Sequence, residues 1–315
     1  MMAINQILDF VPPMNQDSII PKLGIGLGAL CFVGLISRAN SYLSRRALNG
    51  RSGTRKWNQE QEIAVVTGGS SGIGAAIVGE LATRGSKVII FDINEPQEPL
   101  GSNKFFYKVD LASYEEIKII AAQVRSDHGD PTVLINNAGV EFNKPILSLP
   151  ETNLRKTFEV NIISNFLLVQ EFLPAMVSRN HGHIVTVASL ASFTTNASNV
   201  DYACTKSAGL VFHEGLGQEL RHVYNAPGVH TTIVHPAWVR TPMIEKMAAS
   251  GVFDGQIIEP KDVAEVTVDQ ITLGEGAQLF VPSSHWVVSM VRGFPSWLQE
   301  SIRNRLSIKR IKALN

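Results

Sequence analysis

The sequence predicts an α/β fold: a doubly wound parallel sheet, with an apolar segment before it and a basic amphipathic extension after it. Three observations predict this. Short apolar runs rich in β-branched residues alternate with longer runs of helical periodicity through the middle of the chain. The first short run, Ile63-Ala-Val-Val66, passes through Gly68, Gly69, Gly72 and Gly74 into the helix-like stretch Ala75–Leu81. The chain is 315 residues long, enough for one large α/β domain with extensions.

The runs that read as strands are Ile63–Val66, Lys87–Phe91, Lys104–Val109, Val133–Ile135, His183–Val187, Thr231–Val234 and Gln278–Val281. Amphipathic runs such as Leu154–Val177 and Tyr202–His222 lie between them. This alternation argues for right-handed βαβ units, a sheet covered on both faces, and ligand binding at the carboxyl ends of the strands. Lys+Arg and Asp+Glu balance at 28 each, so no global field draws nucleic acid. The two cysteines, Cys31 and Cys204, are far apart, which fits a reducing compartment better than a disulfide framework. No His/Cys cluster has zinc-ligand spacing.

Four regions are expected: 1–37 with a membrane-anchor segment, a basic linker over 38–60, the α/β domain over 61–285, and a basic amphipathic extension over 286–315. Near the start, Ile4, Ile7, Leu8 and Val11 fall at helical spacing until Pro12-Pro13 stops the pattern. Leu23–Ser37 is free of charge. As a helix it covers only ~22 Å at ~1.5 Å per residue. A hydrocarbon core is ~30 Å thick, so a span would recruit Ile19, Ile20 and a snorkelling Lys22. Glycines 24, 26, 28 and 34 argue against an ordinary soluble helix, each costing ~1 kcal/mol there. An uncleaved anchor that spans or dips into one leaflet fits best. Arg38, Arg45, Arg46, Arg51, Arg55 and Lys56 follow with no acid before Glu60: if the segment spans, this flank and the main domain are cytosolic, and if it dips into one leaflet the same cations meet anionic lipid.

A strand that turns through glycines into a helix offers backbone N–H groups and a positive dipole end to a phosphate. The second strand ends in Asp92, 18 residues after Gly74, where a carboxylate can grip ribose hydroxyls. That carboxylate repels a 2′-phosphate, and neither Ser70, Ser71 nor Ile93 supplies a cation, so NAD is preferred over NADP. Asp110 ends the third strand, where it faces an adenine or caps a helix starting near Ser113. Asn136-Asn137-Ala138-Gly139 suits close approach of a cofactor and is also a plain turn signature.

Tyr202 and Lys206 are i and i+4 on a helix, so phenol and ammonium share one face. A nearby cation favours phenolate, which makes Tyr202 a candidate proton carrier. Thirteen residues upstream, Ser189 follows a strand and can hold a substrate oxygen beside the phenol. Asn161 sits inside an apolar helical pattern, where an amide needs solvent, a helix-kinking hydrogen bond or a catalytic water.

Thr67-Gly-Gly-Ser-Ser-Gly-Ile-Gly74, Asn136-Asn-Ala-Gly139, Asn161, Ser189 and Tyr202-x-x-x-Lys206 resemble, in order and spacing, the short-chain dehydrogenase/reductase pattern over about Glu62 to Ser283. The resemblance implies a single Rossmann-type domain and an Asn161–Ser189–Tyr202–Lys206 tetrad. In it, Tyr202 transfers the proton, Ser189 orients the carbonyl or alcohol, and Asn161 holds a water. Lys206 lowers the Tyr202 pKa and binds the nicotinamide ribose. Cofactor contacts are implied at Gly68, Ser70, Ser71, Gly72, Ile73, Gly74, Asp92, Asp110, Asn137, Ala138, Gly139, Tyr202, Lys206, Pro236, Val239 and Thr241. One departure is Ala237, where the family usually has glycine after Pro236.

The run Pro242–Ile258 would form a substrate lid, and its Met243, Ile244, Met247, Val252 and Phe253 suit a lipophilic substrate. Beyond Ser283, Trp286, Phe294, Trp297, Leu298, Ile302, Leu306 and Ile311 interleave with Arg292, Arg303, Arg305, Lys309, Arg310 and Lys312, a pattern for docking on a membrane surface. The chain is thus similar to the membrane- or lipid-droplet-associated 17β-hydroxysteroid and retinol dehydrogenase group. This implies an NAD-dependent oxidoreductase for a sterol, retinoid or long-chain alcohol, at the endoplasmic reticulum or a lipid droplet. Alternatives are an NADPH-dependent lipid ketoreductase of the 3-ketosphinganine type and a membrane-bound protein that has lost turnover. A homodimer through two long central helices is usual for the resembled family.

Overall fold

The computed structural model describes residues 38–40, 42–49, 57–249 and 256–314. The expected anchor Leu23–Ser37, the helical spacing before it and part of the lid lie outside these residues. The chain divides into two compact units, Met1–Gly50 and Arg51–Asn315. In the first, residues 38–40 and 42–49 are helical and mostly exposed.

The second unit runs β1 (Ile63–Thr67), α1 (Gly72–Thr83), β2 (Lys87–Asp92), β3 (Lys104–Lys108), α2 (Tyr114–His128), β4 (Val133–Asn136) and α3 (Glu151–Arg179). It continues with β5 (Gly182–Val187), α4 (Val200–His222), β6 (Val229–Pro236), β7 (Trp238–Val239), α5 (Glu245–Ala249), β8 (Ile257–Ile258), α6 (Pro260–Leu273), β9 (Ala277–Val281) and α7 (Ser296–Leu314). The main sheet has seven strands in the order β3-β2-β1-β4-β5-β6-β9, with every pairing parallel. The Rossmann-like expectation thus holds: the strand order reverses between β1 and β4, and a crevice opens at their carboxyl ends.

Alternate side chains of each strand enter two cores. Val65, Ile89, Leu134 and Ile184 pack with Ile117, Leu168 and Phe172 on one face. Ala64, Val66, Ile90 and Ile135 pack with Ile77, Leu81 and Val268 on the other. Burial on both faces is the reason these strands read as continuous apolar runs. Ser113 caps α2 by accepting from the Glu116 N–H, so the helix begins where its sequence places it.

Three features differ from the sequence expectation. The run Leu154–Val177 is not one regular helix, because a π turn over Glu159–Ile163 interrupts α3 around Asn161. A two-stranded parallel sheet, β7 with β8, has segments too short to stand out in the periodicity. The C-terminal extension is a 3₁₀ helix over Ser283–Gly293 followed by α7, and Arg310 is buried rather than part of a solvated basic face. Among the described residues, Glu151–Arg179 is the one helix long and apolar enough to cross a membrane, and over half of its most apolar window is buried in the protein.

Three histidines are held neutral inside the domain. Burial lowers His183 to about 3, and His213 and His235 to about 4. The unfolded chain protonates its histidines near pH ~6.5, so this contribution is complete above that value and is lost as pH falls toward 4. The expected result is a melting temperature that drops steeply between pH 6.5 and 4, up to ~1.4 kcal/mol per histidine per pH unit. His183→Asn should flatten that slope in calorimetric melts.

Candidate active site

The carboxyl ends of β1, β2 and β4 open into a cleft of about 460 Å³. Its floor is the glycine loop. Gly68 and Gly72 have φ of 63° and 54°, a region side chains disfavour. A Cβ on Gly74 would lie 2.1 Å from Gly68 O and 2.6 Å from Asn137 Nδ2, so strand and helix meet with no room for a side chain. Asn137 fixes this loop: its Nδ2 donates to Thr67 O at 2.9 Å and Gly68 O at 3.2 Å. The Thr67 hydroxyl accepts from the Asn137 and Ala138 N–H groups.

Asp92 stands at the cleft with each carboxylate oxygen taking one backbone N–H, from Ser70 at 3.1 Å and Asn94 at 3.0 Å. Ser70 itself donates to Asn94 O, tying the glycine loop to the end of β2. Asp110 also lines the cleft, and its Oδ1 accepts from Ala112 N–H at 3.0 Å. The residues present fit a dinucleotide: a phosphate cradle sealed to side chains at Gly74, with a carboxylate beyond it.

Of the expected contacts, Gly68, Ser71, Gly72, Ile73, Asp92, Asp110, Asn137, Ala138, Gly139, Tyr202, Lys206 and Thr241 all line this cleft. Gly74 lies behind it as a packing point, while Ser70, Pro236 and Val239 sit outside its lining. Ala237, where glycine was the family's habit, costs nothing here. Among the described residues the non-glycine positions with positive φ are Asn143, Asn180, Ser198 and Asn225, and the Ala237 N–H joins the sheet by donating to Val281 O.

Of the tetrad residues, Tyr202 and Lys206 line the cleft, while Asn161 and Ser189 stand outside its lining. Ser189 follows β5, and its hydroxyl accepts from Ala191 N–H at 3.1 Å. His235 Nδ1 bonds Ser189 O at 3.1 Å, and its ring packs between Phe193 and Phe280. Lys206 Nζ donates to Val187 O at 2.8 Å and lies 5.5 Å from the centre of the Tyr202 ring. Asn161 uses its amide as a clasp: Oδ1 accepts from Val140 N–H at 2.8 Å, and Nδ2 donates to Val140 O and Thr205 Oγ1. The π turn brings this clasp to the loop after β4, so the amide that stood out in the apolar pattern joins two distant segments of the chain.

The electrostatics add to the expectation. Burial raises the Tyr202 pKa and the charge of Glu141 raises it further, while the Ser189 hydrogen bond and Arg310 lower it. Lys206 is itself drawn down to about 8 by burial, with Glu141 opposing. Burial thus outweighs the groups that lower the phenol. Glu141 and Arg310 escaped the sequence reading. Glu141 was legible as an isolated acid just past Asn137-Ala-Gly-Val140 at a strand end. Arg310 had no local signal, lying among other basic residues of α7.

The sequence matches the short chain dehydrogenase family over residues 62–250. It is 44% identical over 229 residues to Dehydrogenase RED2 of Cochliobolus heterostrophus, covering 71% of this chain and 83% of that protein. It is 33% identical over 257 residues to human Estradiol 17-beta-dehydrogenase 11, covering 79% and 84%. Human 17-beta-hydroxysteroid dehydrogenase 13 is 32% identical over 253 residues, covering 78% and 83%.

Proposed function

From the premise that the chain belongs to the short-chain dehydrogenase family, an oxidoreductase acting on alcohols, we propose that it interconverts a lipophilic alcohol and its ketone or aldehyde with NAD. The observation that carries this reading is one cleft lined by the glycine loop and Asp92 on one side and by Tyr202 and Lys206 on the other. Gly68, Ser71, Gly72, Ile73 and Thr241 would hold the pyrophosphate and nicotinamide half, and Asp92 the adenosine ribose. When bound, the oxidised nicotinamide supplies the hydride acceptor and a positive charge.

The protein's own residues manage the substrate oxygen and its proton. Ser189 and Tyr202 would both bond an alcohol oxygen and so orient it before reaction. In oxidation Tyr202 takes the proton of that alcohol; in reduction it returns one. Lys206, its pKa about 8, stands as a cation beside the Tyr202 ring at neutral pH. Asn161 keeps the Val140 loop in place beside it.

Val140, Phe142 and Met243 give the cleft an apolar wall, which supports a sterol, retinoid or long-chain alcohol as substrate. Two relatives are named for estradiol and 17-beta-hydroxysteroid oxidation, which supports the same class. The protein is a membrane or lipid-droplet enzyme, with its catalytic domain facing the cytosol. Exposed Trp286, Val287, Met290 and Trp297 beside Arg292 support docking of the C-terminal region on a lipid surface. Exposed Ile163 and Phe166 on α3 and Val211 on α4 support a homodimer through those helices. The reading is tested by assaying membrane-extracted protein on steroid, retinoid and fatty alcohols with NAD and NADP side by side. Turnover of none of them would overturn it.

Cofactor choice gives a separate expected result. Replacing Asp92 with Ala and Ile93 with Arg removes the charge that repels a 2′-phosphate and supplies a partner for one. The ratio of kcat/KM for NAD over NADP should fall by about 100-fold or more, the sum of a lost charge-assisted contact and a gained one. An unchanged ratio would show that Asp92 does not face the ribose.

A further inference from the structure

The loop after β4 and the C-terminal helix meet inside the active-site wall. Glu141 lines the cleft, with a side chain only 5% exposed. Arg310 reaches it from α7, 2% exposed, and donates through Nη2 to both Glu141 and Asn143. Asn143 has a φ of 54°, a left-handed backbone that points its amide oxygen to the same guanidinium. The guanidinium also sits 5.7 Å from the centre of the Trp238 ring. Yet Arg310 Nε and Nη1 have no hydrogen-bond partner among the described residues. A buried ion pair with unsaturated donors contributes little net stability, since desolvation offsets most of the attraction. Its effect on the neighbouring reactive groups is the larger consequence.

We propose that Arg310 is a positioning residue of the reaction: from α7 it compensates the charge of Glu141 in the wall of the cleft that Tyr202 also lines, so that the buried pair tunes proton transfer there. The charged groups facing Glu141 are Arg310, Asp201 and Lys206; those acting on Tyr202 are Glu141 and Arg310, with the Ser189 hydroxyl bonded to it. Asp201 is buried and takes a hydrogen bond from Thr157. Lys206 is tied to Val187 O. Asp201 is itself an acid and adds to the negative charge beside Glu141, and Lys206 attracts it less than Arg310 does. The C-terminal helix therefore belongs to the catalytic apparatus, although it lies 169 residues from Glu141 in the chain. This inference rests on the reading of Tyr202 as proton carrier.

The test compares Glu141→Gln, Arg310→Gln, Arg310→Lys and the double variant Glu141→Gln/Arg310→Gln. Glu141→Gln leaves the cation uncompensated, so the rising limb of kcat/KM for alcohol oxidation should move to lower pH by about one unit. Arg310→Gln leaves the carboxylate uncompensated and should move the limb upward. The double variant should restore the original midpoint, and Arg310→Lys should hold it. A second readout is thermal melting without substrate or dinucleotide: each single Gln variant should lose more melting temperature than the double variant. If Arg310→Gln does not fold, Glu141→Gln and the double variant carry the comparison. Midpoints that coincide with the original in Glu141→Gln and Arg310→Gln would overturn the inference and leave Arg310 a tether. Tyr202→Phe, run alongside, separates the two ideas. Full turnover in it overturns the proton-carrier reading, whereas loss of turnover with unmoved midpoints overturns only the role of Arg310.

Discussion

Tyr202→Phe should lower kcat by about 1,000-fold while leaving dinucleotide affinity within about two-fold. The substitution removes one oxygen and keeps the ring. Tyr202 lines the cleft, and its oxygen is the proposed proton carrier. The ring retains its place beside Lys206, whose ammonium lies 5.5 Å from the ring centre and is anchored independently on Val187 O. Binding and chemistry therefore separate in this variant. Steady-state rates on a lipid alcohol, paired with fluorescence titration of NADH, measure both. A variant with the original turnover would place the proton transfer elsewhere.

Gly74→Ala should be the most damaging single methyl in the domain. Its Cβ would stand 2.1 Å from Gly68 O and 2.8 Å from Gly68 C, both backbone atoms with no rotamer to yield. Asn137 Nδ2, 2.6 Å away, is already bonded to Thr67 O and Gly68 O. The start of α1 must move away from the end of β1, and the phosphate cradle opens with it. Overpacking of this kind costs about 1–3 kcal/mol or more, a melting-temperature loss of about 2–12 °C in a domain of this size. Dinucleotide affinity should fall by about 100-fold, because the cradle N–H groups no longer converge. Gly79→Ala is the control: it lies on the same helix, with nothing within 4 Å of its added Cβ. That variant should keep binding and gain up to ~1 kcal/mol from helix propensity. Equal damage from both substitutions would mean that helix composition, not close approach, governs the loop.

The sequence displays the fold well because its signals are local. A buried parallel strand needs apolar side chains on both faces, so Val65-Val66, Val88–Phe91 and Val133–Ile135 announce themselves. Glycine loops, an acid at the end of β2 and a Tyr–Lys pair at helical spacing are set by neighbours in the chain, and the cleft collects nearly all of them. Asn161 was legible as an oddity in an apolar helix. Its clasp on Val140 was not, because that depends on a π turn meeting a loop 21 residues away.

By itself the sequence determined the alternation of strands and helices, the phosphate cradle, and the residue types available for proton transfer. Tertiary structure alone decided the charge in which they work. Arg310 reads in the chain as one more cation of a basic helix, yet packing removes it from water and sets it against Glu141 beside Tyr202. Periodicity and turn chemistry act over a few residues. An ion pair between distant segments exists only once the cores between them have closed, and its strength depends on how much water that closure excludes.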